Sequence, residues 1–298
     1  MKDERAFGDK VDYVLYDRAA KRADEVYERK MIGRRMKDFV GDEPYNQDAI
    51  DRIEAQVVGA EEFFKKELDS LPEDVKQKVE RAKVLADTLE GIILNVKTWF
   101  GPTSSIYPTT RYDDYFNGVD LVAERAQGGA VNHNGFALDI TYAGYNAILK
   151  KIHRITERLK KGEMGKVAFF KSQDGRYKGQ LNQIPLVVIG VDGNTMRGLV
   201  NMFAEGEDEQ IENHQVQFQI TEQVLMQCDF FIKLAKTLKD KDVSKMIIDA
   251  YTNLSREFTL IDNLKFRLGN KDHQERDGFH DNLKTVISKL EEDESLEK

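Results

Sequence analysis

Cysteine is nearly missing from this sequence: Cys228 stands alone among 298 residues. An intramolecular disulfide and a thiolate zinc cluster are therefore excluded, and Cys228 is expected to be a small buried apolar side chain. No histidine stands at a spacing that would make it a general base for Cys228. Prolines number five, the last of them Pro185. The final third, almost without glycine as well, thus has little to interrupt long helices. No run of about eighteen apolar residues occurs, and no apolar stretch follows the charged start Met1, Lys2, Asp3, Glu4, Arg5. Neither a membrane span nor a secretory leader is predicted, and a cytoplasmic location is the expectation. The five histidines, His133, His153, His214, His273 and His280, have no metal-binding spacing, and the loop Gly190, Asp192, Gly193 lacks a phosphate-cradling glycine pattern.

What is present is charge: 45 Lys and Arg against 53 Asp and Glu, a net charge of −8. Indiscriminate binding of polyanions by the whole chain is excluded. Residues 144–178 are the local exception, where Lys150, Lys151, Arg154, Arg158, Lys160, Lys161, Lys166, Lys171, Arg176 and Lys178 face only Glu157, Glu163 and Asp174. If a nucleic-acid backbone is held anywhere, it is there.

Apolar spacing predicts a helix over 48–68 on Ile50, Ile53, Val57, Phe63, Phe64 and Leu68. Ser70 and Glu73 have the spacing of a capping box. They precede a stripe of Val75, Val79, Ala82, Ala86, Leu89, Ile93, Val96 and Phe100, a helix that must pack on something large. The texture then changes. Residues 118–124 and 136–143 alternate as strands do, and 167–170 and 186–191 read as further strands, the last buried on both faces. Between them a helix over 145–161 buries Ile148, Ile152, Ile155 and Leu159, and 196–204 is a short closing helix. Beyond 204, two stripes predict a long antiparallel hairpin joined near 240–242, followed by one more amphipathic helix. The expected fold is α/β: a central mixed β-sheet with flanking helices over 71–204, an N-terminal helical segment over 1–70, and a C-terminal helical region over 205–298.

Asp120 and Asp139 are the informative pair. Each falls in an expected strand on its less apolar side, and antiparallel neighbours would bring both carboxylates to one face. Side by side they repel, and hard oxygen donors of this kind suit Mg²⁺ or Mn²⁺, which can activate water and stabilise charge on a phosphodiester. Asp113 and Asp114 lie just before Asp120 and compete as an auxiliary ligand.

The order helix, strand with Asp120, strand with Asp139, helix, strand resembles the core of the PD-(D/E)XK nucleases. That resemblance implies metal-dependent cleavage of DNA or RNA, with Asp120, Asp139 and Asp114 as metal ligands. It implies an acidic residue from the first core helix, matched by Glu90, and a lysine two positions after the second carboxylate. Thr141 stands in that place. Some members supply the lysine from the next helix, and Lys151, about 60° around the helix from Ile148, is the candidate, whereas Lys150 points away. Residues 97–192 also resemble uncharacterised proteins of candidate-phyla bacteria. The alternative expectation is a non-catalytic protein on a degenerate nuclease fold, whose helices bind another chain or a second copy.

Overall fold

The computed structural model describes residues 2–125, 134–141, 144–267 and 275–296, except for the side chains of 2–12, 134 and 294–296. Three helices lead: α1 (Lys2–Lys30), α2 (Gln47–Asp69) and α3 (Glu73–Asn95). Strands β1 (Ser104–Pro108), β2 (Leu121–Arg125) and β3 (Asn134–Thr141) follow, with a π-helical turn (Asp113–Asn117) between the first two. Helix α4 (Tyr145–Lys160), hairpin β4 (Gly165–Lys171) and β5 (Lys178–Ile184), and strand β6 (Leu186–Gly190) complete the strand-bearing part. The rest is helical: α5 (Gly193–Glu205), α6 (Asp208–Glu212), α7 (Val216–Thr237), α8 (Lys241–Arg267) and α9 (Gly278–Leu296).

The main sheet has the order β1-β2-β3-β6, antiparallel across the first two pairings and parallel between β3 and β6, while β4 and β5 pair separately. This is the mixed α/β arrangement expected. Helix α3 lies against β1 and β3 and packs with α1 and α5; α4 lies against β6 and packs with α7 and α9. One hydrophobic cluster runs from Ala19 of α1 through the sheet to Leu290 of α9. Helix α4 buries Ile148, Ile152, Ile155 and Leu159, the stripe its spacing requires.

Other expectations are corrected. Ser70 caps no helix start; its hydroxyl donates to the carbonyl of Glu67 at 2.6 Å and closes α2, and α3 begins after Pro72 without a side-chain cap. Val75, Val79, Phe63 and Phe64 are exposed, because the α2–α3 hairpin meets the core only near Ile50, Val57 and the last three turns of α3. The first of the predicted strands starts at Leu121, and residues 142–143 of the second lie outside the described residues. Strand β5 (KGQLNQI) has too little apolar periodicity to announce itself.

Strand β6 is buried although it ends the sheet. Its outward backbone groups are paired by side chains: Gln227 exchanges bonds of 2.8 and 2.7 Å with the N–H and C=O of Val188, and Gln223 does so with Gly190 at 3.1 and 2.9 Å. Tyr251 completes the row, its hydroxyl accepting from Leu186 N–H at 3.2 Å and donating to Leu186 O at 3.0 Å. Two glutamines one helical turn apart thus stand in for a missing strand. Gln227→Leu would leave a buried N–H and C=O unpaired, at an expected cost of about 2–3 kcal/mol in denaturant titration. An unchanged midpoint would show that the edge does not depend on this amide.

Candidate functional site

Pairing of Leu121 with Leu138 sets Asp120 opposite Asp139. Asp120 lies just ahead of β2 rather than inside it, yet its N–H still donates to Leu138 O at 2.9 Å, so the ladder holds its backbone in register. Both carboxylates reach the same region because side chains of directly opposed residues share a sheet face.

Asp139 is 2% exposed, and neither oxygen is bare. Lys151 Nζ donates to Oδ1 and, at 3.0 Å, to the carbonyl of Ile140; Arg154 Nη2 donates to Oδ2 at 2.6 Å. Lys151 and Arg154 stand three residues apart on α4, beside the stripe that docks the helix, so burying the stripe aims both cations at β3. Asp120 Oδ2 accepts the N–H of Ile140.

The turn before β2 sorts the two neighbouring aspartates. Asp113 is fully buried and accepts from Ala168 N at 2.6 Å, Phe169 N at 3.3 Å, Thr110 Oγ1 at 2.9 Å and Asn117 Nδ2 at 2.7 Å. It ties the turn to β4 and takes no part in the site. Asp114 takes no part in that network and interacts instead with the Asp120 side chain, which offsets part of the upward shift that burial gives its carboxyl. Gly118 closes the turn at φ 64°, and a Cβ there would collide with the Arg154 guanidinium.

Glu90 of α3 adds a further carboxyl within electrostatic reach of Asp114, Asp120, Asp139 and Lys151. Burial first, then repulsion from Asp87 and Asp114, holds the Glu90 carboxyl well above its ordinary value; burial, Glu90 and Asp139 do the same to Asp120. Burial also raises Asp114, partly offset by its interaction with Asp120, and Asp87. For Lys151, burial works to lower the value, but Asp139 and Asp120 outweigh it and the net shift is upward. The amine is therefore protonated at neutral pH.

Of the five residues singled out from the sequence, Asp120, Asp139 and Lys151 are brought together by the ladder and by hydrogen bonds, and Glu90 and Asp114 lie within electrostatic reach of them. Arg154 and Asp87 were missed as members. Their signal was the i, i+3 spacing to Lys151 and Glu90, which puts each pair on one helix face. Thr141 is buried at the end of β3. His133 and His273 lie outside the described residues, and His280 pairs with Glu222 at 3.1 Å.

The donor set is hard oxygen and carries more negative than positive charge, which fits a divalent cation of the Mg²⁺ or Mn²⁺ kind. Among the described residues no group of three or more His, Cys, Asp or Glu side chains is placed to hold a metal ion as it stands. Lys151 and Arg154 occupy the oxygens of Asp139, so coordination by that residue requires at least one of them to move aside.

A pH effect follows from the raised carboxyls. A group whose folded pKa exceeds the unfolded one favours folding below the unfolded value, here 3.8 for Asp and 4.5 for Glu, and loses that contribution as pH rises through the folded value. Stability is expected to fall above about pH 5 on this account. Burial lowers His214, which gives an opposite slope near pH 6, so the measurement is the difference between wild type and Asp120→Asn. The amide keeps the hydrogen bonds and removes the charge. The variant is expected to melt higher than wild type at pH 7.5 and to match it near pH 4; parallel curves at all pH values would refute the cluster's role.

Comparison of the chain with protein-family models, with curated proteins and with solved structures finds no match. No helix among the described residues is long and apolar enough to cross a membrane.

Proposed function

We propose that the protein is a divalent-cation-dependent phosphodiesterase acting on DNA or RNA, with a core of the PD-(D/E)XK kind and Mg²⁺ or Mn²⁺ as its cation. The observation that carries this reading is that Asp120, just ahead of β2, Asp139 of β3 and Lys151 of α4 meet on one sheet face, with Glu90 of α3 and Asp114 of the turn within electrostatic reach. Asp120 and Asp139 would hold the cation, with Asp114 and Glu90 beside them. When bound, it supplies an activated water and charge stabilisation at phosphorus. Lys151 takes the place left by Thr141. Being protonated, it does not act as a base; it orients water and offsets negative charge developing on the phosphate. Arg154, half exposed at the rim, is placed to exchange Asp139 for a phosphate oxygen.

The test is cleavage of labelled DNA and RNA oligonucleotides with Mg²⁺ or Mn²⁺ and with EDTA. Lys151→Met keeps the apolar stem, while Arg154 still pairs with Asp139. It is expected to leave the melting temperature nearly unchanged and to lower cleavage at least about tenfold, roughly 1.4 kcal/mol of transition-state stabilisation. Equal rates with and without EDTA overturn the proposal.

One observation favours a second reading, a non-catalytic interaction protein. The Asp139 oxygens are satisfied by protein cations, and Phe63, Phe64, Val75 and Val79 are exposed on the α2–α3 hairpin. Self-association at micromolar concentration, lost on Phe63→Glu, together with no cleavage under any metal, would select it.

A further inference from the structure

Next to the carboxylates lies a groove of about 450 Å³ that the reading above leaves unused. Arg154 belongs to both, bonding Asp139 on one side and lining the groove on the other. We infer that this groove takes one unpaired nucleotide of a single-stranded nucleic acid, its phosphate on Arg154 and Lys166 and its base against Phe116. The inference rests on the phosphodiesterase reading and narrows its substrate class.

The walls carry the chemistry such a ligand needs. Arg158 is fixed in place: Nη1 donates to Asn117 O at 2.9 Å and Nη2 to Met164 O at 2.8 Å. A guanidinium has five N–H groups, so two anchored ones leave capacity for a phosphate oxygen. Lys166 also lines the groove and makes no ion pair among the described residues. Arg154, Arg158 and Lys166 thus make the lining cationic, with Glu163 the one acidic residue in it.

The opposite requirement, a surface for a base, is met by Phe116. It is 48% exposed and packs on Tyr112, ring centroids 5.0 Å apart, so the ring is supported on one side while about half of the residue remains open. An exposed aromatic ring beside a cationic groove is how sequence-tolerant single-strand binding is built. Asn182 and Gln183 add amides that can donate to and accept from a base edge. Gln183 sits at φ 60°, a conformation that side-chain-bearing residues seldom adopt, and its Oε1 accepts from Met164 N–H at 3.3 Å. Such strain in a residue lining a pocket is a recurrent mark of function. The volume is within the range of about 300–1,000 Å³ typical of small-ligand sites. A paired base within a duplex stack could not present its face to Phe116 and its edge to the amides at once.

The test is fluorescence anisotropy in EDTA, where binding is read without cleavage. A short labelled single-stranded DNA is compared with the same sequence as duplex. Wild type is expected to prefer the single strand at least about tenfold, and Phe116→Ala and Lys166→Glu each to weaken it about tenfold with unchanged circular dichroism and melting temperature. Equal affinity for duplex and single strand, or unaltered binding by Phe116→Ala, overturns the inference; so does displacement of the strand by an equimolar nucleoside monophosphate. Selective single-strand binding without metal-dependent cleavage would keep the groove and dismiss the phosphodiesterase. Cleavage that proceeds with Phe116→Ala binding like wild type would do the reverse.

Discussion

Asp139→Asn is expected to lose metal-dependent cleavage by about a thousandfold, roughly 4 kcal/mol of transition-state stabilisation. Asp139 is the centre of the cluster: Lys151 and Arg154 both point at its oxygens, and Asp120 faces it across the ladder. An amide has the same shape but offers one acceptor where the carboxylate offers two, and no charge to a cation. The fold should survive. Breaking a fully buried ion pair costs about 3–5 kcal/mol. Here the side chains of Lys151 and Arg154 are 27% and 45% exposed and can turn to water, so a loss of about 1 kcal/mol is expected. The measurement is therefore paired: initial cleavage rate in Mg²⁺ and midpoint of denaturant unfolding. A rate within about tenfold of wild type, on a folded variant, would remove Asp139 from the cation's ligands and with it the phosphodiesterase reading.

The contrast between stability and activity explains what was legible in the sequence. Periodicity carried the reading wherever one face of an element is buried. The alternation around Asp120 and Asp139 gave them a common face on condition that their strands are antiparallel neighbours, as β2 and β3 are, and the stripe of α4 gave the direction of Lys151. Glu90 came from the resemblance alone, which asks for an acidic residue on the first core helix. Information was lost where polar groups, rather than apolar area, decide the structure. Nothing in the apolar pattern tells that Gln223 and Gln227 will pair the edge of β6, because their partners are backbone groups of a strand distant in sequence. The π-helical turn escaped notice for the same reason, and so Asp120 falls outside β2 while keeping its register. Phe63 and Phe64 misled in the opposite sense: the period of a helix says which residues share a side, not whether anything covers that side.

Asp113 and Asp114 show the limit most sharply. As neighbours of like chemistry close before Asp120 they competed for one role in the sequence, Asp114 being the one named as a ligand, and the fold gives them different tasks. Asp113→Ala is accordingly expected to be the most destabilising substitution near the site. It removes the acceptor for four donors, two of them backbone N–H groups of Ala168 and Phe169 in β4; three of these bonds are buried and that from Asn117 is partly so. Each buried donor left without a partner costs about 1–3 kcal/mol, and partial relaxation brings the expected total to about 3–5 kcal/mol. Asp113→Asn separates charge from hydrogen bonding. Burial holds the Asp113 carboxyl above its ordinary value even against those four bonds, so removing the charge relieves a penalty. The amide can still accept from one β4 N–H but turns a donor toward the others. Its cost is expected to fall between wild type and alanine. Denaturant titration of the three proteins orders them as wild type, asparagine, alanine. Should alanine unfold within about 1 kcal/mol of wild type, water must enter to satisfy Ala168 and Phe169. The turn that presents Asp114 to Asp120 would then be held by Gly118 and Asn117 rather than by Asp113.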